Sequence, residues 1–215
     1  MKFETSGLTE LEQDAIAEIA NMGVSRAAAS LRQMLDEQIL LSVPAVRIVN
    51  RQTAAALVQS ASNKLVAVQQ HFEGPFSGKA LLIFPEAQSL ELVRTVVGEE
   101  HSLEDVIDLE QEALAEIGNI ILNACLATIA NVLRHTMHMT LPTVVRGDGE
   151  TLFGVHSQND DDNLVMFLYI DFETRKRKIK GFIALLMDLP SIAALKTIVQ
   201  QFIASVDDEA KGGQE

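Results

Sequence analysis

The sequence predicts a single α+β unit: two long surface helices over a mixed or antiparallel sheet, its two halves related by a pseudo-twofold axis. Three observations lead there. An eleven-residue stretch occurs twice, 98 residues apart. Each copy opens a long amphipathic helix and is followed by strand-like runs and a shorter helix. Each half, at about 100 residues, is too thin to cover both faces of its own sheet, so the halves must pair.

The repeat is close. Residues 11–21 read Leu-Glu-Gln-Asp-Ala-Ile-Ala-Glu-Ile-Ala-Asn and residues 109–119 read Leu-Glu-Gln-Glu-Ala-Leu-Ala-Glu-Ile-Gly-Asn, with eight of eleven positions identical. Leu41-Ser42-Val43-Pro44 aligns with Met139-Thr140-Leu141-Pro142 at the same offset, and Phe72-Glu73 answers to Phe172-Glu173. Gly78–Pro85 resembles Gly181–Pro190, with the offset drifting by a few residues. The reading is one domain over 1–208 made of two repeats, about 8–98 and 103–205, with 209–215 as a disordered polar tail.

In order along the chain, Leu8 to about Gln38 reads as a helix with Leu11, Ala15, Ile19 and Met22 as its apolar stripe. A strand begins near Val43, and a short helix covers Thr53–Gln59. Strands at Leu65–Phe72 and Gly78–Phe84 flank a turn at Gly74-Pro75, and a helix over Glu86–Val97 stops at Gly98. The second half repeats the plan: a helix from Leu103 to about Met139, a strand from Leu141 and a turn at Gly147-Asp148-Gly149. Strands at Leu164–Phe172 and Ile179–Met187 follow, then a helix over Ser191–Ala204. The stretch Glu150–Asn159 fits a strand or a short helix.

Composition bounds the function. The chain is 47% hydrophobic and 22% charged, with a mean hydropathy of +0.15, which suits a packed globular core. A net charge of −13 argues against nucleic acid, because phosphate backbones are bound by clustered Lys and Arg. The basic run Arg175–Lys178 reads as a solvated turn. A single cysteine, Cys125, excludes an internal disulfide and reads as a small buried hydrophobe. The N-terminus lacks the apolar core of a signal peptide, and no apolar run is expected to reach the ~20 residues of a membrane span. A cytoplasmic protein without membrane insertion is expected. Asp160-Asp161-Asp162-Asn163 lacks the alternating spacing and closing Glu of a calcium loop. His135 and His138, at i and i+3, lack a third ligand, so no metal site is predicted.

The chemistry-bearing residues lie on the long helices. Asp14, Glu18, Asn21 and Ser25 fall at i, i+4, i+7 and i+11, one stripe on the helix surface, and Glu112, Glu116, Asn119 and Asn123 repeat it. A carboxylate and an amide on a helix face are ordinary solvated residues, and one copy would carry no weight. Two copies carry more, because Asn is a poor helix former and yet keeps its place while neighbours drift. Ser25 stands against Asn123, and Arg26 against Ala124.

The pattern Asp14…Glu18…Asn21…Pro44, with twenty-two residues between Asn and Pro, resembles the signature of the CheC, CheX and FliY phosphatases of chemotaxis. The second copy, Glu112…Glu116…Asn119…Pro142, departs only at its first position. Phe76 to Pro85 resembles the family's central hairpin. Two sites on one chain are similar to the CheC type. The resemblance implies a CheC-like fold and hydrolysis of the aspartyl phosphate on a CheY-type response regulator, which supplies its own Mg2+; no cofactor is held by this chain. By the resemblance, Glu18 and Glu116 pair with the regulator's lysine and Asn21 and Asn119 orient the attacking water. Asp14, Glu112, Ser25 and Asn123 serve docking. An adaptor that binds CheD or sequesters the phosphorylated regulator is the rival reading.

Overall fold

The computed structural model describes residues 8–35, 39–43, 46–98, 102–155, 163–174 and 178–212. The calcium-like cluster at 160–162, the basic residues 175–177 and Pro44 lie outside the described residues. The first long helix is α1 (Glu10–Leu35), followed by β1 (Ile39–Ser42), β2 (Val46–Asn50), α2 (Arg51–Gln59), β3 (Leu65–Glu73), β4 (Gly78–Pro85) and α3 (Glu86–Val97). Next come α4 (Leu103–Val132), β5 (His138–Met139), β6 (Thr143–Gly147), α5 (Gly149–Phe153), β7 (Asn163–Thr174), β8 (Lys178–Asp188) and α6 (Leu189–Gly212).

Among the described residues, eight strands join one antiparallel sheet in the order β1-β7-β8-β4-β3-β5, with β2 also on β7 and β6 also on β3. The central strands are apolar on both faces, and both faces are covered. On one side α1, α3, α4 and α6 pack over Val66, Val68, Leu82, Phe84, Leu168 and Ile183. On the other, α2 and α5 cover Leu65, Leu81, Phe167 and Ala184. The architecture is therefore α+β, with the sheet between a thick helical layer and a thin one.

The last helix, expected over Ser191–Ala204, runs from Leu189 to Gly212 and takes in residues 209–212 of the expected disordered tail. Three other boundaries differ from expectation for readable reasons. The second long helix ends at Val132 and not near Met139. His135 N–H bonds the Ala130 carbonyl and Arg134 N–H that of Asn131, a Schellman closure with Arg134 in the left-handed region at φ 58°. His135 and His138 thus share no helix face, and His138 belongs to β5. The strand expected from Val43 is two strands, because Val43's own N–H and C=O bond to Asn21 and cannot enter a ladder. Of Glu150–Asn159, left between strand and helix by the sequence, the start is helical. Here α5 begins at Gly149, placed in a turn by the sequence, with Asp148 as N-cap and left-handed Gly154 as its end. Residues 156–159 lie outside the described residues.

The apolar stripe of α1 also differs. Leu11 and Met22 are 61% and 41% exposed, and the buried face is Ile16, Ile19, Ala20, Val24, Ala27 and Leu31. At about 100° per residue, this puts the Asp14–Glu18 stripe opposite the core. The expectation that no stretch suffices to span a bilayer is overturned too: Glu104–Val132 and Leu189–Val206 are long and apolar enough by length and composition. In the first, 61% of the apolar window is buried in the fold, so its apolar character serves the core. The second seats Ile192, Leu195 and Val199 against the sheet.

Two buried carboxylates anchor the feet of the long helices. Glu12 accepts from Thr9 N–H at 2.8 Å and from Gln200 of α6 at 2.6 Å, with Lys196 at 4.0 Å. Its counterpart Glu110 accepts from Ser89 of α3 at 3.0 Å and from Arg146 of β6. The helices meet where Gly23 lies against Cys125; a Cβ at 23 would fall 2.7 Å from the Cys125 Cα.

Burial pushes the Cys125 thiol up to about 12, so it should stay unreactive to thiol reagents at pH 8 until denaturant unfolds the chain. For Glu12, burial raises the pKa, but the bonds from Thr9 and Gln200 and the charge of Lys196 outweigh it and hold the carboxyl below its ordinary 4.5. A depressed pKa contributes stability above the unfolded value that is lost as pH falls through the folded one. Urea unfolding of wild type and Glu12→Gln should therefore differ most near neutral pH, and the gap should close as pH falls below 4.5.

Candidate functional site

On α1, Asp14, Glu18 and Ser25 are exposed and Asn21 is half-buried at the edge of the stripe. On α4, Glu112 and Glu116 are exposed, while Asn119 and Asn123 are half-buried. The structure thus keeps each predicted group on one open helix face. Exposed Leu11 and Met22 flank the first stripe and exposed Leu109 precedes the second, which gives each an apolar margin of the kind protein contacts use.

The two asparagines are held differently. Asn21 Oδ1 accepts from Val43 N–H at 2.8 Å, and its Nδ2 donates to the Val43 carbonyl at 3.1 Å. This two-point clamp joins α1 to the residue just before Pro44 in the first copy. One oxygen lone pair and one N–H remain for other partners.

Asn119 has no such clamp. Its Oδ1 accepts from Asn123 Nδ2 at 2.7 Å and from Gln70 Nε2 at 3.2 Å. The same Gln70 amide donates to the Thr140 carbonyl at 3.0 Å and to Asn123 Oδ1 at 3.3 Å. Leu141, the counterpart of Val43, is 86% exposed where Val43 is 2% exposed. The second copy therefore keeps the helix pattern but hangs its Asn on a side-chain network. Asn123, expected at a docking surface, sits within that network. Gly118 makes it reachable: a Cβ there would fall 2.4 Å from Val68 Cγ1, so α4 lies hard against β3 beside Gln70.

Sequence reasoning missed Gln70, Glu12 and Glu110. Gln70 was visible as a polar residue at an inward position of the alternation Val66, Val68, Gln70, Phe72. The identical Leu-Glu-Gln opening of both repeats contained Glu12 and Glu110, whose retained role is anchoring. Among the described residues no group of three His, Cys, Asp or Glu is placed to hold a metal.

The chain thus has an antiparallel sheet overlaid by paired helices, each carrying an exposed Glu one turn before a tethered Asn. Residues 66–161 match the profile of the chemotaxis phosphatase CheX, and residues 11–48 match the CheC-like family. The resemblance drawn from the helix signature therefore holds. The chain is 23% identical over 142 residues to the CheY-P phosphatase CheC of Bacillus subtilis, covering 65% of this chain and 68% of that protein. It is 23% identical to the flagellar motor switch phosphatase FliY of the same organism, over 75% of this chain and 43% of that longer protein. In fold it matches FliY of Thermotoga maritima with a TM-score of 0.73, at 18% identity, over 91% of this chain and 98% of that one. It also matches the middle domain of FliM from H. pylori, with a TM-score of 0.53 at 8% identity, covering 89% and 99%. The fold is thus shared with a protein whose name carries no phosphatase activity.

Removing the Asn21 carboxamide leaves the buried Val43 N–H without a partner. Asn21→Ala should cost about 1–3 kcal/mol in urea unfolding. Asn119→Ala, which strips an acceptor from side chains alone, should cost less.

Proposed function

We propose that this chain is a protein aspartyl-phosphate phosphatase that hydrolyses the phosphate on a CheY-type response regulator, with one site on α1 and one on α4. The observation that carries the reading is common to both helices. An exposed Glu stands one turn before a half-buried Asn whose carboxamide is pinned by hydrogen bonds. The names of the relatives, a CheY-P phosphatase and a motor switch phosphatase, support it.

The chemistry needs little from this chain. Water attacks phosphorus in line, the P–O bond to the aspartyl carboxylate breaks, and inorganic phosphate and free carboxylate result. The helper's part is positioning and charge complementarity. Glu18 and Glu116 engage a cationic side chain of the regulator, and Asn21 and Asn119 order the water against the phosphoryl group. Asp14, Glu112 and Ser25 line the docking face, with Leu11, Met22 and Leu109 as its apolar margin. Mg2+ comes with the regulator. An open helix face suits a substrate that is itself a folded protein. A cytoplasmic location follows from that substrate.

The same reading makes the chain one internally duplicated domain over 1–208, with a pseudo-twofold axis through the sheet. The strand order supports this, since exchanging β1 with β5, β3 with β7 and β4 with β8 returns the same order. The register agrees: Phe72 faces Met139 and Phe172 faces Leu41, which are matching positions of the repeat.

The test is phosphate release from a phosphorylated CheY-type regulator with Mg2+. Wild type should accelerate decay, Asn21→Ala and Asn119→Ala should each remove one site's share, and the double variant should lose about a hundred-fold or more. Stable complex formation with the regulator or with CheD, without faster decay, sinks the catalytic reading and leaves an adaptor.

A further inference from the structure

We infer that Gln70 is the positioning residue of the second site. It turns the Asn119 carboxamide so that the oxygen faces the protein interior and the two N–H groups are presented to the attacking water and the phosphoryl oxygens of the bound regulator. This deepens the phosphatase reading and rests on it for the identity of the acceptor.

The orientation follows from one fixed point. The Thr140 backbone carbonyl can only accept, so the end of the Gln70 amide 3.0 Å from it must be the NH2 group. With one N–H committed to Thr140, the other lies between Asn119 and Asn123, at 3.2 and 3.3 Å, and both offer their oxygens to it. Asn123 then has its own NH2 left to donate, and it donates to Asn119 Oδ1 at 2.7 Å. Every acceptor site on the Asn119 oxygen is thereby occupied by a side chain. Its Nδ2, by contrast, makes no hydrogen bond among the described residues, on a side chain that is partly open to solvent.

Gln70 is only 1% exposed, and its Oε1 is buried with no hydrogen-bond partner. An orphaned buried carbonyl is expensive, and native structures rarely keep one without a reason. Here it persists because turning the amide over would set its oxygen against three acceptor oxygens. The strain is local to this half. The matching position beneath α1 is Ile170, fully buried in the apolar core, and Asn21 takes its bonds from the Val43 backbone instead. The two sites therefore present different groups. Asn21 keeps one lone pair and one N–H, whereas Asn119 offers donors alone.

The experiment uses the Asn21→Ala chain, so that turnover reads the second site, with Gln70→Glu and Gln70→Ile added. Glutamate keeps the shape but accepts where Gln70 donates; isoleucine is the residue the other half already tolerates. Turnover of phosphorylated CheY-type regulator with Mg2+ is read beside the side-chain amide resonances of Asn119 in 15N-labelled protein. In both variants kcat should fall about ten- to a hundred-fold with KM little changed, and the Asn119 resonances should move. Folded variants with unchanged kcat and unchanged Asn119 resonances overturn the proposal and leave Gln70 a structural residue. If the Asn21→Ala chain shows no turnover above spontaneous decay, it is the phosphatase reading at this site that fails. The resonances alone then decide on Gln70: movement upholds its hold on Asn119, and its absence refutes it. Should neither variant fold, wild type still answers. Asn119 NH2 protons should exchange with water faster than those of Asn21, half of which are bonded to Val43; slower exchange refutes the proposal.

Discussion

Everything the long helices present to solvent depends on how their feet are seated, and the seats are two buried carboxylates. Glu12 and Glu110 each stand less than two turns before the exposed Glu of their own helix. Each is satisfied in part from the other repeat, Glu12 by α6 and Glu110 by α3, and in part from its own, by Thr9 and by Arg146 of β6. A buried carboxylate without partners is costly, so these bonds fix the azimuth and height of the helix together. With the foot fixed and the backbones touching at Gly23 and Cys125, the stripes carrying Glu18 and Glu116 have no freedom to roll.

Much of this was legible in the chain. The α3 boundaries, the β3–β4 hairpin and the two long helices follow from periodicity and stop residues, because local chemistry decides them. What escaped was decided at a distance. Arg134 ends α4 in a conformation that usually announces itself with glycine. Val43 leaves its strand because an asparagine twenty-two residues earlier claims both of its backbone groups. Leu11 and Met22 looked like core residues by spacing, but the core face of α1 is built from smaller neighbours, Ala20, Gly23 and Ala27, that allow close approach. The Glu and Asn stripes of α1 and α4 were readable because repetition marked them; Gln70 was not, because nothing repeats it.

The comparison of the two copies separates what a helix pattern specifies from what its surroundings add. The carboxylate and amide keep their spacing on both helices, while the contacts behind them have diverged from a backbone clamp to a side-chain network. Likeness to the middle domain of FliM makes the same point at the level of folds, since the architecture extends to a protein whose name carries no enzymatic activity.

The bond from Gln200 to Glu12 spans 188 residues of chain. A ribosome adding residues at about 5–20 per second makes the first helix some 10–40 s before the last one. For that interval the Glu12 carboxylate lacks its α6 partners, although β1, β2 and α4 are made earlier. A contact between the first and last elements is also the slowest kind to close by diffusion, so the finished protein should fold late and as a whole. The nascent N-terminal helix is thus the part of this molecule most in need of protection while it is being born.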